Sequence, residues 1–515
     1  MNFKYLIVLL ITSVTSAQHP KDFVTDEALA VLSIKNTSTV TSMLKTLNQK
    51  TASELVDVNI IQNYLSQFIA NPQSIDMDSE VMVVIEPTKL APGKRPTGMF
   101  GPMPHLVFIC KPKTSAKLQI TGSLQSSQMI DGWFIASSVE DAVVTSGNAS
   151  PILDLMPENE VSLAIRFGKL WSQFGPIAQM TGGMAIGTMN KPGPDGVISP
   201  ETRKMSAALG QAFRSLTAWC ALVDSIVLGF DFEDYEMVLD GKMNMKEALD
   251  VSINNESLIE MASMLSNSSL QYGMSESCTK DLMSLDIDMI QDLSTVYGYS
   301  VPFFLINELK DSFDYFRDNV FSYQINPKDG LTMLALVDVT NQSEYLDKMY
   351  DIVTASIGRL LEIYHVGLSE IDVPYAWDIN MISANDYQAQ VMNTVIPKGN
   401  QLRFQKQGES LVMMWMGPKE WNSLVQKRNS PLVQVLSPFK DSVQINYAMA
   451  MDMRSLAVGI LEIAEMDLEI DDVKLASGPT AECSLLIGMD SEGYMCHSEV
   501  DLFGLMSLSD IMTEK

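Results

Sequence analysis

The sequence predicts an α+β fold of two pseudo-repeated halves, each a mostly antiparallel sheet with helices packed on one face, joined by a helix-rich middle segment. Three observations predict it. Residues 131–160, from Asp131-Gly-Trp-Phe-Ile-Ala through Ser150-Pro151-Ile-Leu-Asp-Leu, lie without gaps on residues 411–440, from Leu411-Val-Met-Met-Trp-Met through Ser430-Pro431-Leu-Val-Gln-Val. Self-similarity at a fixed offset marks a duplicated architecture. An apolar strand, a polar capping stretch and an amphipathic helix also recur in that order along the chain, and links such as Asp231-Phe-Glu-Asp234 and Asp490-Ser-Glu-Gly493 are too short for parallel neighbours.

The elements follow in order. Ala28–Ile34 reads as a strand leading through Asn36-Thr-Ser, whose side chains can satisfy free N–H groups, into a helix over Val40–Leu47. The pattern returns as Val161–Phe167 into Leu170–Met180, as Thr332–Val339 into Tyr345–Leu361, and as Val443–Met451 into Leu456–Ile463. Hairpin strands are expected over Glu80–Glu86, His105–Cys110 and Gly132–Ala136, and over Ser225–Phe232 with Tyr235–Met245. In the second half they are expected over Leu402–Gln407, Ser410–Met416, and Ser484–Gly488 with Tyr494–Leu502. Leu258, Met261 and Leu265, then Leu305, Leu309, Phe313 and Phe316, recur at helical spacing. Pro87–Pro104 and Gly182–Pro200 read as long loops. The expected organisation is a signal peptide over 1–17, a first α+β half over 22–255, a helix-rich connector over 256–322 and a second half over 323–515.

The leader supplies the compartment. Lys4 gives a positive start, Tyr5–Ile11 a short apolar core, and Thr15-Ser16-Ala17 the small residues of a cleavage site, so a secreted or periplasmic mature chain should begin at Gln18. No later stretch approaches the roughly 18 to 20 apolar residues of a membrane helix, so no integral span is expected after cleavage. Of 515 residues 46% are hydrophobic, and the net charge is −28. That excess excludes a nucleic-acid backbone as partner, which needs a cationic footprint. Five cysteines make no disulfide scaffold: with Asp490 facing Gly493, Cys483 falls opposite Val500, out of bridging reach of Cys496. Sequons start at Asn36, Asn148, Asn255, Asn267 and Asn341.

Chemical motifs are sparse. The four histidines, at 19, 105, 365 and 497, show no metal-ligand spacing, and neither a metal nor a cofactor is expected. Ser42-Met-Leu-Lys45 matches the Ser-x-x-Lys pattern in which an amine one turn away activates a hydroxyl, but its Lys-Thr-Gly companion is missing, and a solvated helix face explains the pair better. Asp467-x-Glu469-x-Asp471 opens like a calcium loop, yet Asp472 and Gly478 replace its glycine and its closing glutamate. Most of the 35 methionines fall on apolar faces as core filler. Met99, Phe100 and Met103 in Gly98-Met-Phe-Gly-Pro-Met-Pro104 do not, and form the candidate contact loop.

The early strand Leu29-Ala-Val-Leu-Ser-Ile34 and the late hairpin Ile487-Gly-Met-Asp-Ser-Glu-Gly493-Tyr resemble those of uncharacterised exported proteins of planctomycete-type bacteria. The resemblance spans most of the mature chain and implies no activity and no catalytic residue. The expected function is therefore an exported, non-enzymatic binding or scaffolding protein for an unknown protein or apolar ligand. The alternatives are a carrier of an apolar or lipid ligand in a methionine- and aromatic-lined concavity, and a serine hydrolase using Ser42 and Lys45.

Overall fold

The computed structural model describes residues 19–51, 59–87, 104–114, 116–140, 150–189, 198–233, 235–276, 278, 314–326, 330–364, 366–370, 375–381, 399–418, 430–464 and 479–513. They fall into two compact units, Met1–Gln173 with Asp224–Phe232, and Phe174–Val223 with Glu233–Lys515. In chain order the first elements are β1 (Ala30–Ile34), α1 (Thr37–Thr51), α2 (Ile60–Leu65), β2 (Val81–Glu86), β3 (His105–Cys110), β4 (Ser126–Ile130), β5 (Trp133–Ser137) and β6 (Val161–Ile165). Two long helices, α3 (Phe167–Met189) and α4 (Pro200–Leu222), precede β7 (Val223–Glu233). All strand pairs of the first unit are antiparallel, in the order β4-β5-β3-β2-β1-β6-β7.

Its central strands read as unbroken apolar runs because both faces are covered. Alternate residues of β2 serve two cores. Met82 and Val84 pack with Phe23, Val31, Ile109 and Ile135, whereas Val81 and Val83 pack with Leu65, Ile69, Phe108 and Phe134. The β4–β5 hairpin turns on Asp131 and Gly132, with φ of 48° and 86°, between the paired Ile130 and Trp133. Such a two-residue link needs left-handed backbone at both positions, and Asp-Gly supplies it.

The second unit continues with β8 (Glu236–Met245), α5 (Glu256–Met264), β9 (Leu270–Met274), β10 (Phe316–Asn326), β11 (Gly330–Val339), α6 (Gln342–Tyr364), β12 (Val366–Glu370) and β13 (Ala376–Met381). It ends with β14 (Gln401–Gln407), β15 (Leu411–Gly417), α7 (Pro431–Leu436), β16 (Gln444–Asp452), α8 (Met453–Ala464), β17 (Glu482–Met489), β18 (Gly493–Asp501) and α9 (Leu502–Thr513). Seven of these strands run antiparallel in the order β14-β15-β11-β10-β9-β16-β17. That is the pairing scheme of the first unit, strand for strand. The second sheet is longer, with β13 and β12 beyond β14, and β18 and β8 beyond β17.

The two copies agree most closely at the Ser-Pro step. Ser150 and Ser430 are both fully buried, and each accepts on its carbonyl from the N–H three residues on, Leu153 or Val433. Ile152 and Leu432, next after the prolines, are likewise fully buried. Pro431 does not break a helix there. It opens α7 at a position where its missing N–H costs nothing. The gapless alignment drifts in the sheet: β1 and β9 place Met82 with Val320, hence Ile109 with Leu336 and Ile135 with Met413, whereas the sequence match sets Trp133 on Met413. A shift of two residues keeps every side chain on its face, which is why the rhythm survived it.

Two sequence expectations differ from the structure. The described ends of 256–322, expected as a helix-rich connector, hold strands as well as α5: β9 lies at the centre of the second sheet and Phe316 opens β10, while residues 279–313 lie outside the described residues. Five apolar-rich residues carry too little periodicity to separate strand from helix. Gly182–Met189 is helix rather than loop, because Gly182 lets α3 approach Phe213 of α4 so closely that a Cβ would lie 2.2 Å from its ring. Phe313, Leu305 and Leu309 and the run from Asp467 to Gly478 lie outside the described residues. Cys483 does face Val500, and all five cysteines are free.

The core of the second unit joins Leu258, Met261 and Leu265 of α5 to Leu334, Leu336, Trp415, Leu432 and Ile445. Buried polar side chains fix the helices on it. Gln271 Oε1 accepts from Ser430 Oγ at 2.6 Å and from Leu432 N at 3.1 Å, while its amide donates to Ser266 O at 2.6 Å. Asn255 donates to Lys440 O and Val443 O and accepts from Ile445 N, tying the start of α5 to β16.

Candidate functional site

A cavity of about 1130 Å³ lies within the second unit between the start of α5, the β14–β15 turn and the adjoining ends of β10 and β11. A β-bulge builds its wall. Phe316 pairs with Val339 and Asn319 with Val337, so Arg317 and Asp318 together oppose the single residue Asp338. A bulge re-aims side chains that a regular ladder would turn elsewhere.

The lining is strongly acidic: Asp250, Glu256, Glu260, Glu276, Asp318, Asp338 and Glu409 contribute carboxylates, and Arg317 is the one cation among the described lining residues. Asp318 is 9% exposed. Its Oδ1 accepts from Glu276 N at 3.0 Å, and Asp338 Oδ2 accepts from Ser257 Oγ at 3.3 Å. Asp338 Oδ1 is buried with no hydrogen-bond partner among the described residues. Burial pushes the Asp318 carboxyl up to about 6, the Asp338 charge adds to the rise, and the Glu276 N–H and Ser257 hydroxyl oppose it.

The cavity thus carries an excess of carboxylates, with Asp318 held up to about 6 among them. Among the described residues no group of three or more His, Cys, Asp or Glu is placed to hold a metal ion. A second cavity, about 440 Å³, is lined in part by His497. The ring bonds Asp240 through Nδ1 at 2.7 Å and Glu499 through Nε2 at 3.2 Å, and its centroid lies 5.0 Å from that of Phe439. The Nδ1 contact joins β18 to β8, and the Nε2 contact stays within β18.

Of the residues singled out by sequence, Ser42 and Lys45 lie exposed on α1, where the Ser42 carbonyl accepts from Thr46 Oγ1. Neither lines either cavity. The contact loop of Met99, Phe100 and Met103 lies outside the described residues. Sequence reading missed Asp318 and Asp338, although Asp338 interrupts the apolar run of β11 and an acid there costs free energy unless something compensates it.

No helix among the described residues is long and apolar enough to cross a membrane. No family model matches the chain, and no curated protein matches it. Among solved structures, crystal form III of TP0453 is similar at TM-score 0.25 and 9% identity over 47% of this chain and 79% of that one. Crystal form I is similar at TM-score 0.23 and 9% identity over 51% of this chain and all of that one.

Proposed function

We propose that this chain is an exported, non-catalytic binding protein whose ligand is an organic polycation held in the acidic cavity of the second unit. The observation that carries the reading is Asp318, a buried carboxylate set against a second carboxylate, Asp338, one of whose oxygens has no described partner. Such a pair destabilises the fold unless a cation or a proton enters, and arrangements of that kind cluster at binding sites. Titration calorimetry of the full chain with spermine tests it. Binding should be tightest above pH 7 and weaken at least tenfold in Asp318→Asn; equal heats from wild type and variant would refute it. Export rests on the leader, and secreted protein starting at Gln18 would support it.

One feature favours the apolar carrier as a second reading. Tyr272 stacks on Phe321 at 4.8 Å, on Tyr323 at 5.9 Å and on Tyr447 at 6.2 Å, making a half-buried aromatic face on β9, β10 and β16. Uptake of a fluorescent fatty acid that survives Asp318→Asn and is lost in Tyr272→Ser would favour this reading over the first. The hydrolase reading draws no support from Ser42 and Lys45, which stand in solvent.

A further inference from the structure

We propose that the α3–α4 hairpin docks on an anionic lipid surface, lying in the interface without crossing it. The relevant part is Phe174–Leu222, all within the second unit. Its inner faces are used: Gly182 lies under the Phe213 ring, and Ser206 Oγ donates to Ile186 O at 3.4 Å. Its outer faces are apolar and open. Met180 and Met184, one turn apart on α3, are exposed, as are Leu216, Trp219 and Leu222 on α4, with Leu216 at 56%. On α4 the stripe begins further back with the half-buried Met205, Leu209 and Ala212, which precede Leu216 and Trp219 at helical spacing.

Charge decides what covers this face. The chain carries a net −28, yet α3 has no charged residue from Leu170 to Met189, and α4 carries Arg203, Lys204 and Arg214 against the single acid Glu201. A locally basic, Trp- and Leu-bearing amphipathic helix in an acidic protein complements an anionic bilayer surface. The acidic remainder is screened beyond roughly 10 Å at physiological salt. A second copy fits less well, since apposed hairpins would bring the same three cations together. Spanning is unavailable, because neither helix is long and apolar enough.

Flotation of the mature chain with vesicles of phosphatidylcholine alone, or with 30% phosphatidylglycerol, tests the proposal. The expected result is binding at least tenfold stronger to the anionic vesicles, falling as salt rises. Leu216→Asp with Met184→Asp should lower it at least tenfold. So should Arg203→Glu with Lys204→Glu and Arg214→Glu, a set that leaves the apolar stripe intact should the first pair impair folding. Met129→Asp, an equally exposed apolar site in the first unit, should leave it unchanged. Failure to bind, equal binding to both vesicles, losses matched by Met129→Asp, or concentration-dependent dimerisation abolished by Leu216→Asp would each overturn it. The readout involves no polyamine, so its outcome is separate from that of the cavity.

Discussion

Replacing Asp318 with asparagine should make the protein more stable at neutral pH while weakening its proposed binding site. An unfolded aspartate titrates near 3.9, whereas burial holds Asp318 at about 6 in the folded chain. Between those values the folded state keeps a proton that the unfolded state has released. The contribution of this group is therefore most favourable below about pH 4, and it is lost progressively as pH rises through 6. Roughly two pKa units correspond to about 3 kcal/mol of destabilisation above pH 7. Asparagine stays neutral throughout, and its carbonyl can still accept from Glu276 N. Urea midpoints of wild type and Asp318→Asn should thus coincide near pH 4 and separate by about 1 to 3 kcal/mol at pH 8, with the variant more stable. A gain of the same size at both pH values, or none at pH 8, would show that burial does not govern this carboxyl.

The Ser-Pro steps give a paired test. Ser430→Ala should cost about 1 to 2 kcal/mol, because it removes a buried hydrogen bond to Gln271. Ser150→Ala should be neutral or stabilising, because the buried Ser150 hydroxyl has no partner among the described residues; matched urea titrations decide. Gln271→Leu should cost more than Ser430→Ala, on the order of 3 to 5 kcal/mol, since it strands the Ser430 hydroxyl, the Leu432 N–H and the Ser266 carbonyl together. Gly459→Ala should destabilise by about 1 to 3 kcal/mol, read as a lower melting temperature, because its Cβ would sit 2.4 Å from Ile325 O and push α8 off β10.

Much of the fold was legible because local chemistry and tertiary context agreed. The β17–β18 hairpin could be registered to the residue from Asp490 and Gly493, since a short turn fixes every pair behind it, Cys483 with Val500 included. The duplication was visible through Ser-Pro and the strands on either side, where burial repeats. What stayed hidden was non-local. Strand β9 is five residues long, and its place between β10 and β16 depends on partners roughly 50 and 175 positions away. The cavity was hidden for the same reason. Asp318 and Asp338 are ordinary acids in one dimension, and only the bulge opposite Asp338 turns them into a facing pair. A motif search looks for spacing along the chain, and this site has its spacing across a ladder.

The comparison between copies also locates the site. Counting back from the matched strands β1 and β9, Asp318, two residues before Val320, stands where Glu80 stands two residues before Met82 in the first unit. There the acid is compensated, accepting from Ser33 Oγ and lying 3.5 Å from His19 Nε2. In the second unit the serine position is held by Gly273, whose missing Cβ leaves room for Leu258 and Val320. Gln271 and Ser150 show the reverse exchange: the second unit keeps the buried amide that satisfies its serine, while the first has Val31 in that place and an unpartnered hydroxyl. A scaffold under selection for stability alone would have no reason to hold compensation at one spot and discard it at the other. The second unit secures its helices with buried hydrogen bonds and leaves its two acids lining the cavity, so on the proposed reading the destabilisation is confined to the place where the cation would relieve it.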